Sequence, residues 1–179
     1  MWLEVGIALL PEPHVEITLV NRLIEQIPLT EEAFEKMRSE RGCVLRYLID
    51  NNPVYKSEVL NFNDVALRYG TVDERSTVCL SVHDIDVLIM KDTWQTVTRL
   101  HDSIKGKIVE LKNKLPAVTG QLAAFVHIIK GINDDSKAYE AIISSPKYRR
   151  GEQLDNEMLV ICFADIKRAA KLGLVPHDV

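Results

Sequence analysis

Long apolar segments are missing from this sequence. The longest almost purely apolar stretches are Ile7–Leu10 and Val87–Met90, far short of the roughly 20 residues that a membrane-spanning helix requires. The N-terminus has no basic leader, and Glu4 interrupts the apolar residues that would form the core of a signal peptide. We therefore expect a chain that does not enter a membrane and is not exported.

Cysteine is also scarce. Cys43, Cys79 and Cys162 are odd in number, lie far apart and are each flanked by apolar residues. This arrangement is typical of reduced, buried thiols and argues against a disulfide framework or a zinc knuckle. Together with the missing signal peptide, it predicts a cytoplasmic location.

Motifs for nucleotides, metal ions and nucleophiles are absent as well. The glycines are scattered, and neither Gly-x-Gly-x-x-Gly nor Gly-x-x-x-x-Gly-Lys occurs. No two histidines lie four residues apart, as zinc ligands on one helix would. His101 is followed by Asp102, which can orient an imidazole, but no serine or cysteine stands in the strained turn typical of a nucleophile. We expect no cofactor and no catalytic activity.

One pair of carboxylates offers the alternative to this expectation. In a strand, Asp84 and Asp86 point to the same side, and two neighbouring carboxylates can hold a divalent cation. No further ligand stands near them in the sequence, and acidic pairs at a strand edge commonly stay solvated or prevent edge pairing. We expect solvated surface here, with metal-dependent activity at Asp84 and Asp86 as the enzyme alternative.

A large excess of basic charge is absent too. The formal net charge is −4, whereas binding to a polyanion depends mostly on lysine and arginine. This excludes a nucleic-acid footprint over the whole molecule but leaves local patches. One patch is predicted on the helix between Arg99 and Lys114, and another on the segment Lys147–Arg150. The alternative is a solvated helix face and an unrelated loop.

What is present is an ordinary globular composition. The chain of 179 residues is 46% hydrophobic and 27% charged, which is enough to bury a core without disulfides or metals. No repeat, linker or low-complexity tract divides it. We therefore predict a single domain covering residues 1–179.

The N-terminal third predicts a strand followed by helices. Trp2–Leu10 is a short apolar run ended by prolines, as in a buried strand. His14–Ile27 fits the period of a strand and that of a helix, and we favour a helix because Pro13 suits the first helical position. Thr30 is suited to cap a further helix, and Gly42 is a point at which that helix can divide.

The middle third predicts a hairpin and a long helix. Val59–Tyr69 and Thr77–Met90 are rich in β-branched and aromatic residues, and the polar segment Gly70–Ser76 separates them, which favours an antiparallel hairpin. Apolar residues then recur every three or four positions over 94–115, as in an amphipathic helix. Pro116 is expected to interrupt this helix.

The C-terminal third predicts helices only. The most apolar one covers Val118–Ile132, in which His127 is expected to be a buried, hydrogen-bonded imidazole. Asn133–Ser136 should cap a short helix, and a final helix from Glu152 to Leu172 should stop at Gly173. The predicted fold is α+β: mostly helical, with about five or six helices and a small antiparallel β-hairpin or sheet in the middle of the chain.

One segment shows a family resemblance. From Leu60 to Leu111 the order strand, turn, strand and amphipathic helix, with Trp94 near the helix start, resembles the single-stranded-DNA-binding domain of the positive-cofactor family of transcriptional coactivators. The resemblance covers about a third of the chain and implies that basic and aromatic side chains on the strands face nucleic acid. It adds three residues to the predicted anion or nucleic-acid patch. The whole patch is Arg68, Tyr69, Arg75, Arg99, Lys105, Lys107, Lys112, Lys114, Lys147, Arg149 and Arg150.

These observations favour a non-catalytic regulatory, adaptor or structural subunit that binds a protein partner or itself as a homo-oligomer. Trp2 and the apolar tail of Leu172, Leu174 and Val175 are candidate contacts for a neighbouring subunit; alternatively they dock on their own domain. The alternative function is nucleic-acid binding through the hairpin and the basic helix 99–114.

Overall fold

The computed structural model describes residues 2–20, 26–50, 59–62, 65–82 and 85–174. Within these ranges the chain forms seven helices and two antiparallel sheets, one of three strands and one of four. The α+β class is confirmed. The predicted five or six helices around a single hairpin are wrong, because strands take up more of the N-terminal half than its periodicity indicates.

The elements follow one another along the chain, strands first and helices last. The strands are β1 (Trp2–Ala8), β2 (His14–Val20), β3 (Gln26–Leu29), β4 (Val59–Phe62), β5 (Val65–Val72), β6 (Arg75–Val82) and β7 (Ile85–Ile89). The helices are α1 (Glu31–Ser39), α2 (Arg41–Asp50), α3 (Lys91–Arg99), α4 (His101–Ile129), α5 (Asp135–Ile143), α6 (Gln153–Ile161) and α7 (Phe163–Leu172).

The chain divides into two compact units. The first unit comprises Met1–Gly6 and Glu16–Ile108, and the second unit comprises Ile7–Val15 and Val109–Val179. Helix α4 begins in the first unit and ends in the second. Compactness within each unit does not decide whether the two fold independently. The single domain over residues 1–179 therefore stays a prediction.

The three-stranded sheet has the order β1-β2-β3, and β2 runs antiparallel to β3 with Ile17 opposite Leu29. The helix predicted over His14–Ile27 is therefore wrong. Thr18, on the opposite face of β2 from Ile17, is buried as well. A strand covered on both faces shows little alternation of polar and apolar residues. The hydrophobic periodicity of this segment therefore did not distinguish a strand from a helix.

The four-stranded sheet is an antiparallel meander in the order β4-β5-β6-β7. Each predicted hairpin arm therefore contains two strands. The turn between β5 and β6 is also shorter than the predicted Gly70–Ser76, because Val72 and Arg75 still pair across the two strands. Only Asp73 and Glu74 form the turn, with φ of 49° and 62°.

Helices α1 and α2 cover part of the first unit. The predicted cap is confirmed, since the Thr30 hydroxyl accepts a hydrogen bond from the amide of Ala33 at 3.1 Å. The two helices divide at Glu40, two residues before Gly42. Helix α2 packs against β6, and its buried Tyr47 donates a hydrogen bond to the carbonyl oxygen of Gly70 at 2.7 Å.

Helix α4 runs through Pro116 without interruption, so the predicted break there is wrong. Proline removes one intrahelical hydrogen bond, but Pro116 is exposed, and freed polar groups on a solvent-facing side can bind water. The break lies at Leu100 instead, which ends α3 one residue before α4 begins.

The second unit is a helical bundle with its own core. Leu122, Phe125, Ile142 and Ile166, from α4, α5 and α7, are among its buried residues. The predicted cap of α5 is confirmed at Asp134. The final helix divides at Cys162 into α6 and α7, and Gly173, with φ of 69°, ends α7 as predicted.

Candidate functional site

The predicted basic patch is distributed over both units. The first unit contains Arg68, Tyr69, Arg75, Arg99, Lys105 and Lys107, and the second contains Lys112, Lys114, Lys147, Arg149 and Arg150. The basic side chains are exposed. The aromatic residue Tyr69 is only 7% exposed, and its ring contacts that of Tyr47 at 4.7 Å between centroids. Tyr69 therefore has no open face for a nucleobase.

The lysines of α4 do not form one stripe. Lys105 and Lys112 are seven residues apart, as are Lys107 and Lys114, but at 100° per residue the two pairs lie on roughly opposite sides of the helix. Lys105 lies 3.4 Å from a carboxylate oxygen of Glu35, and Lys114 lies 2.7 Å from one of Glu110. Part of the positive charge is therefore already neutralised.

The predicted basic loop is fastened to the second unit by its own side chains. Asp155 is completely buried and accepts hydrogen bonds from the backbone amide of Arg149 at 2.7 Å and from its guanidinium at 3.1 and 3.3 Å. The Tyr148 hydroxyl donates to Asn156 at 2.6 Å. Arg149 thus compensates a buried carboxylate, while Lys147 and Arg150 stay exposed.

His101 lies at the start of α4 between two carboxylates. Its side chain is 4% exposed, with Nδ1 3.2 Å from Oδ1 of Asp102 and Nε2 3.3 Å from Oε1 of Glu35. The imidazole stacks on the Phe34 ring at 5.3 Å between centroids. Among the described residues Nε2 has no hydrogen-bond partner, so its attraction to Glu35 is electrostatic rather than a directed hydrogen bond.

This cluster changes the titration of its carboxylates. Partial burial alone would raise the pKa of Glu35, but the charges of His101 and Lys105 outweigh it and lower that pKa. The hydrogen bond with His101 lowers the pKa of Asp102. His101 is buried against Phe34, so the cluster joins α1 to α4 and has no accessible imidazole for a substrate.

Only one of the two aspartates predicted as an alternative metal site lies among the described residues. Asp84 lies outside the described residues. Asp86 is exposed on β7, opposite Ser81 of β6. Across the described ranges, no group of three or more histidine, cysteine, aspartate or glutamate side chains is arranged to hold a metal ion.

Two predictions about buried side chains are wrong. Cys43 is exposed, because α2 turns that position towards solvent. Cys79 and Cys162 are partly buried, and burial raises the pKa of both thiols, which lowers their thiolate reactivity. His127 is exposed, since α4 is apolar along most of its length but not covered on every side.

An apolar groove of about 620 Å³ lies in the first unit between the three-stranded sheet and the α3–α4 segment. Leu19, Val97 and Ile104 line it together with hydroxyls such as Thr96 and Ser103. Among the described residues, no imidazole or thiol lines it. The groove suits apolar contact more than bond making.

The second unit carries a cluster of apolar side chains, hereafter the apolar cluster: Tyr139, Ile143, Val160 and Ile161, which are exposed, and Phe163, which is partly buried. Val160 and Ile161, at the end of α6, are each 75% exposed. Tyr139 and Ile143 are 41% and 42% exposed on one face of α5. The rings of Tyr139 and Phe163 meet at 5.8 Å, which brings α5 to the junction of α6 and α7.

The sequence of α6 contains a signal for this cluster, namely more apolar residues than one face of the helix can bury. Leu154, Met158 and Leu159 already supply the inward face of α6, so Val160 and Ile161 exceed what one buried stripe of that helix can hold. Of the predicted contacts, Leu172 is 60% exposed, whereas Leu174 packs on the core of its own unit. The side chain of Trp2 and Val175 lie outside the described residues.

Among the residues that the structure describes, no helix combines the length and apolar character needed to cross a membrane. No family model matches the chain, and neither the curated proteins nor the solved structures contain a match to it. Its function is therefore inferred from its own side chains.

Proposed function

We propose that this chain is a non-catalytic, cytoplasmic subunit that self-associates through the apolar cluster of its second unit. The observation that carries the proposal is the pair of adjacent side chains Val160 and Ile161, each 75% exposed. Large apolar side chains exposed to this extent are costly in water, and exposed apolar patches commonly mark an interface.

A second copy of the chain is the favoured partner because the cluster is uncharged. In a two-fold symmetric dimer the same surface meets itself. Aliphatic and aromatic side chains suit such an interface, since they need no complementary charge from the second copy. A different protein partner that buries the same residues is the competing form of the proposal.

Sedimentation velocity at micromolar concentration tests the proposal. We expect the natural chain to be a dimer or a larger oligomer and the double variant Val160→Lys, Ile161→Lys to be monomeric. Lysine suits the C-terminal end of a helix, so α6 should persist, which a far-UV circular dichroism spectrum checks.

The matched control replaces two equally apolar residues of the first unit, Ile49→Lys with Leu88→Lys. These side chains are 54% and 48% exposed and lie at a helix end and on an edge strand, where lysine is tolerated. We expect this control to remain associated. A strictly monomeric natural chain, or equal dissociation of both variants, would contradict the proposal.

Nucleic-acid binding remains the alternative, and it has less support. Tyr69 is buried, Arg149 compensates Asp155, and the lysines of α4 occupy two sides of the helix. If the alternative holds, replacing Lys105, Lys107, Lys112 and Lys114 with glutamate abolishes binding to single-stranded DNA at low salt.

A further inference from the structure

The second unit contains a pocket with a strongly basic lining, hereafter the basic pocket. Its volume is about 620 Å³, and it lies between the end of α4, the turn that follows and α7. Lys167, Arg168 and Lys171 of α7 line one side, and Asn133 lines the turn. Ile129 and Ile132 add apolar surface.

The charge of this lining is of one sign. No carboxylate lines the basic pocket among the described residues, although the chain as a whole carries −4. Positions 167, 168 and 171 fall on adjoining faces of a helix, since residues three and four apart are neighbours. The positive charge is therefore concentrated by the local geometry, not by composition.

One of the three cations has a structural role, and two are left for a ligand. The Lys167 ammonium donates a hydrogen bond to the carbonyl oxygen of Asn133 at 3.3 Å and forms an ion pair with Asp135. It thereby fixes the turn against α7. Within the described part of the chain, Arg168 and Lys171 form no ion pair and are exposed.

We propose that the basic pocket binds a small molecule carrying phosphate monoester groups. A guanidinium and an ammonium one turn apart can contact separate oxygens of such a group. The volume lies within the range of small-molecule sites, and the partly exposed Ile132 can contact an apolar or ring portion of the ligand. The ligand is either a soluble phosphorylated molecule or the headgroup of a phosphorylated lipid.

Isothermal titration calorimetry at low salt tests the basic pocket with three probes: inorganic pyrophosphate, a soluble inositol phosphate, and phosphatidylcholine vesicles containing a phosphorylated phosphatidylinositol. Binding of a soluble probe without binding of the vesicles identifies a free metabolite as the source. Binding of the vesicles, with or without binding of the inositol phosphate, identifies the lipid headgroup. Absence of binding to all three overturns the proposal.

Two charge-reversal variants locate the binding. Arg168→Glu with Lys171→Glu should weaken binding at least about tenfold, since each lost contact is a charge-assisted hydrogen bond. The neutral pair Arg168→Gln with Lys171→Gln should give an intermediate loss. The matched control, Lys147→Glu with Arg150→Glu, makes the same change in net charge on the exposed loop of the same unit and should bind like the natural chain.

Equal weakening in the control would overturn the proposal, because the attraction would then be general to the surface. Circular dichroism of each variant excludes unfolding as the cause. The Val160→Lys, Ile161→Lys variant should retain phosphate binding, so this proposal and self-association succeed or fail separately.

Discussion

At the scale of single residues, breaking the ion pair between Arg149 and Asp155 should lower stability. Asp155 is completely buried, and its oxygens accept hydrogen bonds from the backbone and the guanidinium of Arg149. Arg149→Ala leaves one oxygen without its charged partner in the interior. We expect the free energy of unfolding to fall clearly, because a buried acceptor is left without a partner, as measured by urea denaturation.

The neighbouring Arg150 provides the control for this prediction. It is exposed and contacts no buried carboxylate of the described ranges, so Arg150→Ala should change the free energy of unfolding by less than about 0.5 kcal/mol. Similar losses in both variants would show that the loop itself, and not the compensation of Asp155, determines stability.

The carboxylates around His101 should make stability dependent on acid pH. The pKa values of Glu35 and Asp102 are lowered, so the folded chain binds protons less readily than the unfolded chain. Their contribution is complete above the ordinary carboxyl pKa of about 4 and is lost as pH falls through the lowered values. Glu35→Gln should therefore lose less stability between about pH 5 and pH 3 than the natural chain.

The magnitude of this effect should be modest because Glu35 is 36% exposed. At neutral pH, Glu35→Gln should lower the free energy of unfolding by up to about 1 kcal/mol. Glu152→Gln, an exposed position in the second unit, is the control. A natural chain and a Glu35→Gln variant with parallel pH profiles would disprove the coupling.

Residue-scale chemistry was predictable only where the partners are neighbours in sequence. The contact between His101 and Asp102 follows from adjacency. The approach of Glu35 depends on how α1 packs against α4, which no local pattern specifies. The two-sided placement of the α4 lysines follows from spacing alone, whereas the burial of Tyr69 depends on α2 covering the sheet.

At the scale of elements, the β5–β6 turn contains avoidable strain. Asp73 and Glu74 both have positive φ, as in the type I′ turn that favours Asn-Gly or Asp-Gly. Glu74→Gly should raise the free energy of unfolding by about 1 kcal/mol, because glycine adopts positive φ without steric cost. Glu74→Ala, which retains a β-carbon, should give no such gain in thermal denaturation.

Capped helix ends were more predictable than element types. Thr30, Asp134 and Gly173 act as predicted, because capping depends on a few adjacent atoms. The identity of β2 depended instead on burial by distant parts of the chain. When neither face of a strand is polar, its apolar residues also fit the stripe of an amphipathic helix, so the sequence pattern does not distinguish the two.

At the scale of the whole molecule, the second unit concentrates the features that suit binding. It contains the apolar cluster on α5, α6 and α7 and the basic pocket beside α7. Neither feature was predicted, because each combines residues from separate helices. The basic residues of the predicted patch could be identified from the sequence, but the carboxylates that pair with them could not.

Folding as one domain is testable because the buried Trp94 reports on the first unit. Trp94 belongs to that unit, and a Trp2→Phe background leaves it as the single tryptophan, while circular dichroism also follows α5–α7. Helix α4 supplies buried residues to both units, Ile108 to the first and Phe125 to the second. We therefore expect Arg149→Ala to lower the urea midpoint equally by fluorescence and by circular dichroism. An earlier transition by circular dichroism with an unchanged fluorescence midpoint would instead mean that the two units unfold separately.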